Sequence, residues 1–312
     1  SEGATLTIEP GVIVKFINPG LKLFGTIKAN GTTDKPIVFT DYNDKKYAGE
    51  IFGSIASPQA GAWSGIWFLE SSTDSVLDNI IIRYAGSRTR PFRTGATYSD
   101  AAVGAGIRVD NTSIILRNST IEHNLFTGVL LTNSPNTVIE NSTFQNHLEH
   151  DNSYTTLAGP TELRNIALYI DSSNPRVEDS AFQNNLTGIY IVNNSQPASL
   201  VGGPIIENNN FFNNSRPIWV QSSYPEFSNN QIEGNQWDGI VVKGLKLNRD
   251  YTLGGGPASP AGGSVFINYD EIPFWSIVVP EGIILTIEPG TIIKSVYSTS
   301  GLIIEGTLIA ML

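Results

Sequence analysis

The sequence predicts an all-β solenoid, in which a parallel sheet coils around an apolar interior. Short apolar runs of the form Gly-Ile-x-Val recur between segments rich in Asn, Ser and Gly, and none has the length or the 3.6-residue periodicity of a helix. Copies recur about every 22 residues, as from Ile121 to Phe144. Such a period, with two or three short strands per turn, is typical of a β-helix.

A second type of copy places an apolar centre between polar turn residues. The apolar centres are Ile121, Phe144, Phe182, Phe211 and Ile232. We expect these side chains to stack in one interior column, because equivalent residues of successive coils lie about 4.8 Å apart.

Polar residues stand three positions before and three positions after each apolar centre. Those before are Asn118, Asn141, Asp179, Asn208 and Asn229, and those after are Asn124, His147, Asn185, Asn214 and Asn235. Asn tolerates the left-handed turn conformation and can bond to its equivalent in the next coil. Both sets therefore predict internal ladders, with His147 substituting for Asn. The alternative is a functional role for these residues, either glycosylation of sequons such as Asn118-Ser-Thr or metal binding.

Composition excludes several classes of function. The 312 residues contain no Cys, which excludes zinc–thiolate sites, a Cys nucleophile and disulfides. The net charge of −10 argues against nucleic acid and anionic membranes as partners. No apolar run reaches the length of a membrane span, so no membrane insertion is expected.

Inserts interrupt the repeat at defined places. Residues 41–62, 87–105 and 148–163 all follow the second strand group of a coil and precede a Gly-Ile-x-Val strand. We expect these three loops to be clustered at one corner of the solenoid, around a low floor at His123. Residues 245–263 predict a glycine-rich loop at another corner.

The two ends of the chain share a sequence. Leu6-Thr-Ile-Glu-Pro-Gly returns as Leu285-Thr-Ile-Glu-Pro-Gly. We therefore predict a β-helical unit over residues 1–284 and final coils over residues 285–312 that open a second tandem unit. The chain would then be a piece of a longer rod, with end-to-end contact between β-helical units. The alternative is a single domain whose first and last coils share a sequence.

The repeats also carry a family resemblance. The unit Gly-Ile-x-Val…Asn-x-x-Phe-x-Asn-Asn, at residues 188–192 and 208–214, resembles the right-handed parallel β-helix repeat of the pectin-lyase-like superfamily. The end repeats and residues 81–86 look like those of large prokaryotic surface and secreted proteins. The resemblance implies a right-handed solenoid with an extracellular or cell-surface location. It does not choose among lyases, hydrolases, tailspikes, adhesins and structural rods.

One column of outward residues suggests a binding role. Side chains alternate along a strand, so the third residue of each Gly-Ile-x-Val strand faces out. Five of these residues are predicted to bind polysaccharide or a cell-surface glycan: Trp67, Arg108, Tyr169, Tyr190 and Trp219. Exposed rings of this kind offer stacking platforms for sugars. The function predicted is a non-catalytic structural or adhesive one; the alternative reading of the strip is that loops bury it.

The second functional hypothesis is a carbohydrate-active enzyme, a polysaccharide lyase or a glycoside hydrolase. Its candidate catalytic residues lie on the clustered loops: Asp100, Glu149, Asp151 and Arg93. Residues 88–93 resemble a pectate-lyase arginine motif but carry Thr89 where its first Arg belongs. The three His lack metal-ligand spacing, so no metal ligand is predicted and no cofactor is expected; calcium would serve the lyase alternative.

Overall fold

The structure is a computed structural model that describes residues 2–310 except 52, 54–55, 88–103, 148–164, 194–201, 255–264, 269–276 and 296–300. In the described residues every regular element is a β-strand. Three large sheets each take every third strand of the chain over most of its length, and neighbouring strands pair in parallel. This connectivity is that of a parallel β-helix, which confirms the fold class.

Sheet 1 has eight strands, which are β1 (Thr5–Ile8), β4 (Thr26–Asn30), β7 (Ser75–Asp78), β10 (Ile114–Arg117), β13 (Val138–Glu140), β16 (Arg176–Glu178), β19 (Ile205–Glu207) and β22 (Glu226–Ser228). Sheet 2 also has eight, which are β2 (Ile13–Phe16), β5 (Ile37–Asp41), β8 (Ile80–Arg83), β11 (Thr120–Glu122), β14 (Thr143–Gln145), β17 (Ala181–Gln183), β20 (Asn210–Phe212) and β23 (Gln231–Glu233).

Sheet 3 has ten strands, which are β3 (Leu21–Leu23), β6 (Ile66–Phe68), β9 (Ala105–Asp110), β12 (Thr127–Thr132), β15 (Ile166–Asp171), β18 (Thr187–Val192), β21 (Arg216–Gln221), β24 (Ile240–Lys243), β26 (Val265–Asn268) and β29 (Ile292–Ser295). Two small sheets complete the C-terminal part, one of β25 (Tyr251–Leu253), β28 (Ile284–Ile287) and β31 (Thr307–Ala310), the other of β27 (Ile277–Val279) and β30 (Leu302–Ile304).

The interior column forms as the sequence predicts. Ile121, Phe144, Phe182, Phe211 and Ile232 lie in register on successive strands of sheet 2 and are buried. The ring centroids of Phe144 and Phe182 are 4.8 Å apart, and those of Phe182 and Phe211 are 4.9 Å apart. These rings stack because parallel, in-register strands place equivalent side chains directly above one another.

The corner between sheets 2 and 3 contains the predicted ladder. The Oδ1 atom of Asn185 accepts hydrogen bonds from the backbone N–H of His147 and lies 2.9 Å from Nδ1 of that ring. Asn185 in turn donates to Asn214, and Asn214 donates to Asn235. His147 therefore does take the place of an Asn in this ladder.

At the corner between sheets 1 and 2, the predicted ladder is displaced by one residue. The predicted set of Asn118, Asn141, Asp179, Asn208 and Asn229 is exposed and has φ between 47° and 55°. The buried ladder consists of the next residues, Ser119, Ser142, Ser180, Asn209 and Asn230. The left-handed residue makes the turn with its side chain outside, so the following side chain points inward.

The inserts leave from the predicted corner. The connections β5–β6, β8–β9 and β14–β15, which contain them, all run from sheet 2 to sheet 3, whereas β11–β12 connects the same sheets directly. The expectation that residues 245–263 form a loop is wrong in part, because Tyr251–Leu253 is strand β25 and pairs with β28.

The shared end sequences form the same local pairing. Leu6 pairs with Ile27, and Leu285 pairs with Leu308. The first pair lies in sheet 1 and the second in a separate small sheet. The boundary near residue 285 and the tandem arrangement stay predictions.

Candidate functional site

The outward column of sheet 3 is aligned as predicted. Consecutive strands pair Trp67 with Arg108, Tyr169 with Tyr190, and Tyr190 with Trp219. Leu130 joins the two halves of the column, since it pairs with Arg108 on one side and with Tyr169 on the other. The five predicted ligand-binding residues therefore lie on one line along the solenoid.

Their exposure differs from the prediction. Tyr190 is 4% exposed and Trp219 is 2% exposed, so the expectation of exposed rings is wrong for these two. Trp67, Arg108 and Tyr169 are half-buried. Tyr190 and Trp219 belong to an outer apolar cluster that includes Ile166, Val192, Val241, Val265 and Ile267. Sheet 3 thus has a second apolar layer on its outer face.

The orientation of the rings matters as much as their burial. The rings of Tyr169 and Tyr190 are 5.3 Å apart and 14° from parallel, and those of Tyr190 and Trp219 are 6.0 Å apart and 7° from parallel. Arg216 lies over the Trp219 ring at 4.8 Å. The rings of Tyr190 and Trp219 therefore lie against other side chains, which leaves their faces unsuited to stacking on a sugar.

At the other end of the column, Trp67 is held between two cations. Lys22 Nζ lies 4.5 Å and Arg108 Cζ 4.9 Å from the ring. Asp110 Oδ2 accepts hydrogen bonds from Trp67 Nε1 and from Arg108 Nε, both at 2.7 Å. Cation–π contacts and a shared carboxylate fix the geometry of this group. The group of Lys22, Trp67, Arg108 and Asp110 is called the Trp67 cluster below.

The outward column of sheet 2 has a different character, because it contains a buried arginine. The side chain of Arg83 is 7% exposed. Its Nη1 lies 3.2 Å from Glu122 Oε1, and its Nε lies 3.5 Å from Asp44 Oδ2. Its Nη2 donates to the Tyr84 hydroxyl at 2.6 Å, and the Tyr47 ring lies 5.6 Å away. We call these five residues the Arg83 cluster.

The charges of the Arg83 cluster shift two pKa values. Burial alone would lower the pKa of Arg83, but attraction by Glu122 and Tyr84 outweighs it, so that pKa is raised. Asp44 adds to this attraction. Burial raises the pKa of Tyr84, and the positive charge of Arg83 only partly offsets this. Both side chains therefore carry their protons at neutral pH.

Two bulky residues occupy left-handed corner positions beside this cluster. Tyr84 has φ of 62° and His123 has φ of 54°, at a corner where three later coils use Asn. Their rings are 5.6 Å apart. A left-handed aromatic residue is strained, and such strain tends to concentrate at functional sites. Arg83 and Tyr84 were not predicted from the sequence as functional residues. The signal that marks them is Tyr84-Ala85, which stands where other coils have an Asn pair.

A hydrogen-bonded chain continues from the Arg83 cluster along sheet 2. Gln145 Nε2 donates to Glu122 Oε2 at 2.8 Å, and Gln183 Nε2 donates to Gln145 Oε1 at 2.7 Å. The next residue of the column is Phe212, which is 50% exposed. This column therefore passes from buried charges through amides to an exposed ring.

A family model for the right-handed β-helix region matches residues 63–250, which is more than half of the chain. The chain belongs to the right-handed β-helix family. The match includes both outward columns from Trp67 to Trp219 and from Arg83 to Phe212, so both lie on family repeats. It also confirms the right-handed coiling that the family resemblance implied.

Comparisons with solved structures and with curated sequences say less about this β-helix. One solved structure that it resembles is an alginate lyase from Paenibacillus sp. strain FPU-7, with 10% identity over 99% of this chain and 93% of that one, and a TM-score of 0.29. A similarity at that level carries no argument about function. No curated protein sequence matches the chain.

The candidate catalytic residues of the enzyme hypothesis, Asp100, Glu149, Asp151 and Arg93, lie outside the described residues of the β-helix. Within the described residues, no three His, Asp or Glu side chains are grouped so that they could hold a metal ion. The described part of the chain also contains no helix long and apolar enough to cross a membrane.

Proposed function

We propose that this chain is a non-catalytic structural or adhesive β-helix segment of a secreted or cell-surface protein, and that it binds polysaccharide. The observation that supports this most directly is the Trp67 cluster, in which two cations and an indole form one ordered group on the outer face. Tyr169 extends this surface along the column. Tyr190 and Trp219 then stabilise the solenoid and make no contact with the ligand.

The chemistry of the Trp67 cluster favours an acidic polysaccharide. Arg108 uses Nε on Asp110, and its terminal nitrogens make no hydrogen bond to the described residues. A guanidinium edge of this kind binds a sugar carboxylate in bidentate fashion. Lys22, two coils away, supplies a second positive charge about 10 Å along the axis. A polyanionic chain laid along the column would meet both charges.

Affinity electrophoresis through gels containing polygalacturonate tests this proposal. Arg108→Gln should weaken retardation by about tenfold or more, because a charge-assisted contact is lost. Arg176→Gln is the matched control, since Arg176 also places Nε on a carboxylate, that of Glu178 at 2.9 Å, but lies on sheet 1. Binding should weaken as salt rises. Equal retardation of both variants, or none of the wild type, would contradict the proposal.

The second candidate function is a carbohydrate-active enzyme, and one observation favours it. The Arg83 cluster, with the strained Tyr84 and His123 beside it, lies at the corner from which the inserts carrying Asp100, Glu149, Asp151 and Arg93 leave. Release of reducing ends from polygalacturonate or a neutral polysaccharide by the wild type, lost in both Tyr84→Phe and Arg93→Ala, would establish this function. Unchanged polymers would support the structural proposal.

A further inference from the structure

We infer that the outer face of sheet 2 carries a second carbohydrate-binding surface, at Gln183 and Phe212, whose ligand is an uncharged polysaccharide. This surface is separate from the Trp67 cluster, which lies on sheet 3. The inference does not depend on the function proposed for that cluster. It rests on the direction of a hydrogen-bond chain, on one exposed ring and on the charges around them.

The direction of the hydrogen-bond chain is fixed by its first member. Glu122 faces the positive charge of Arg83 and accepts hydrogen bonds, so Gln145 must turn its NH₂ group toward Glu122. The carbonyl of Gln145 then faces Gln183, which must donate in turn. Gln183 Oε1 is left as the end of the chain, and it accepts no hydrogen bond from the described residues. Polarisation along such a chain strengthens this terminal acceptor.

The ring of Phe212 lies one coil beyond this acceptor. Phe212 pairs with Gln183 in sheet 2, so the two residues are about 4.8 Å apart along the axis. The ring rests against Gly234, where an added Cβ would lie 2.9 Å from Phe212 Cε2. Gly234 has φ of 68° and makes the turn at that corner. A larger residue there would push the ring aside, so the glycine sets its position.

The residues on either side of Phe212 in its column make its ring different from the rings on sheet 3. Phe212 has Gln183 on one side and Glu233 on the other, so neither of its neighbours on the column is aromatic. At the adjacent corner, Asn213 Nδ2 donates to Asn184 Oδ1 at 2.6 Å. These two amides form a polar margin beside the ring. A sugar offers the matching pattern, an apolar face of C–H groups with a rim of hydroxyls.

The local charges select against acidic sugars. Glu233 is exposed and lies one coil beyond Phe212, so a sugar carboxylate on the ring would meet a like charge. On the other side, the charge of Glu122 is buried beside Arg83. A neutral chain lying along the axis, with a hydroxyl donating to Gln183 and a ring on Phe212, fits these constraints.

Affinity electrophoresis of the full chain through gels containing hydroxyethylcellulose, galactomannan or dextran tests the inference. We expect at least one neutral polymer to retard the wild type, and Phe212→Ala to weaken its binding by about tenfold, as for loss of a central aromatic contact. Gln183→Met leaves the ring in place and removes the acceptor, and should weaken binding about threefold to tenfold. Ile115→Ala is the control, because Ile115 is an exposed apolar residue on sheet 1.

Several results would overturn the inference. They are a wild type that passes all three neutral gels unretarded, a Phe212→Ala variant that binds as the wild type does, or an Ile115→Ala variant that loses as much. Polygalacturonate gels separate this inference from the function proposed for the Trp67 cluster. Phe212→Ala should leave retardation by polygalacturonate unchanged, and Arg108→Gln should leave retardation by the neutral polymer unchanged.

Discussion

The outward columns of sheets 2 and 3 run through the same coils, yet they differ in exposure. The rings of Tyr190 and Trp219 on sheet 3 are buried against one another, whereas the amide chain of sheet 2 ends beside an exposed ring. In sheet 3, aromatic residues follow one another, stack face to face and become buried, as Tyr190 and Trp219 show. In sheet 2, amides follow one another and bond lengthwise, until the chain ends beside the exposed Phe212. In a parallel solenoid, a run of rings therefore stabilises the column and does not make a binding surface.

Two tryptophans of sheet 3, Trp219 and Trp67, also differ in exposure. Arg216 lies over the Trp219 ring, but the column neighbours of Trp219 one coil away are Tyr190 and Val241, whereas those of Trp67 are Lys22 and Arg108. The first indole is buried and the second is half-buried. The neighbours one coil away, more than the residue itself, decide whether an outward ring faces solvent.

The largest expected effect is on the buried Arg83 cluster of the sheet 2 column. Arg83→Met should lower the free energy of unfolding by about 3–5 kcal/mol, because two buried carboxylates lose their cation. Urea unfolding at pH 7 measures this loss. Arg176→Met, which breaks an exposed pair, should lower the free energy of unfolding far less than Arg83→Met does. Similar costs for the two variants would refute the cluster's buried character.

Next in size is the difference between the two tryptophans of sheet 3. Trp219→Ala should lower the free energy of unfolding by about 3 kcal/mol, because the ring is buried. Phe182→Ala, in the interior, should lower it by about 3–5 kcal/mol for the same reason. Trp67→Ala should cost about 1 kcal/mol or less. Chemical unfolding midpoints of the three variants measure the order. If Trp219→Ala unfolded with the same midpoint as Trp67→Ala, the outer apolar layer would not be a stabilising one.

A smaller effect is expected in the amide chain. Gln145→Met removes a donor to Glu122 and an acceptor for Gln183, and should cost about 1 kcal/mol. Gln231→Met is the control, since Gln231 is an exposed residue of the same sheet. Its stability should stay within about 0.5 kcal/mol of the wild type. The chain would have no energetic role if both variants unfolded at the same urea concentration.

The smallest effect concerns alkaline pH at Tyr84. The folded state raises the pKa of Tyr84 above its ordinary value of 10.0, chiefly by burial, so the folded chain holds this proton more tightly than the unfolded chain does. The contribution is therefore complete below about pH 10 and is lost as pH rises through the folded value. Unfolding midpoints of Tyr84→Phe should fall less steeply than those of the wild type between pH 9 and 11. Parallel curves would mean that Tyr84 ionises as it does in the unfolded chain.

Much of the fold could be predicted because local rules govern it. The apolar centre that recurs in every coil predicted the interior column, and the polar residues around each centre predicted the corners. The ladder at the first corner was misplaced by one residue, because a left-handed residue turns its own side chain out and the next one in. That reversal depends on backbone geometry, which spacing along the sequence does not reveal.

The sites were harder to predict, because their partners are distant in sequence. Asp44 reaches Arg83 from an insert 39 positions earlier, and Glu122 reaches it from the next coil. Alignment of Trp67, Arg108, Tyr169, Tyr190 and Trp219 followed from the repeat alone. Their burial did not, because it depends on side chains of neighbouring columns such as Ile166 and Val192.

The sequence by itself determined the coil period, the interior column, the corner of the inserts and the alignment of outward residues. These follow from which residues recur at equal spacing, since parallel strands in register copy that spacing into space. Only the tertiary structure decided which outward rings face one another, which arginine is buried with two carboxylates, and where the amide chain ends beside an open ring. Those features depend on contacts between coils and inserts. The repeat sets where each residue lies, and these contacts set how deeply its side chain is buried and in which direction its hydrogen bonds run.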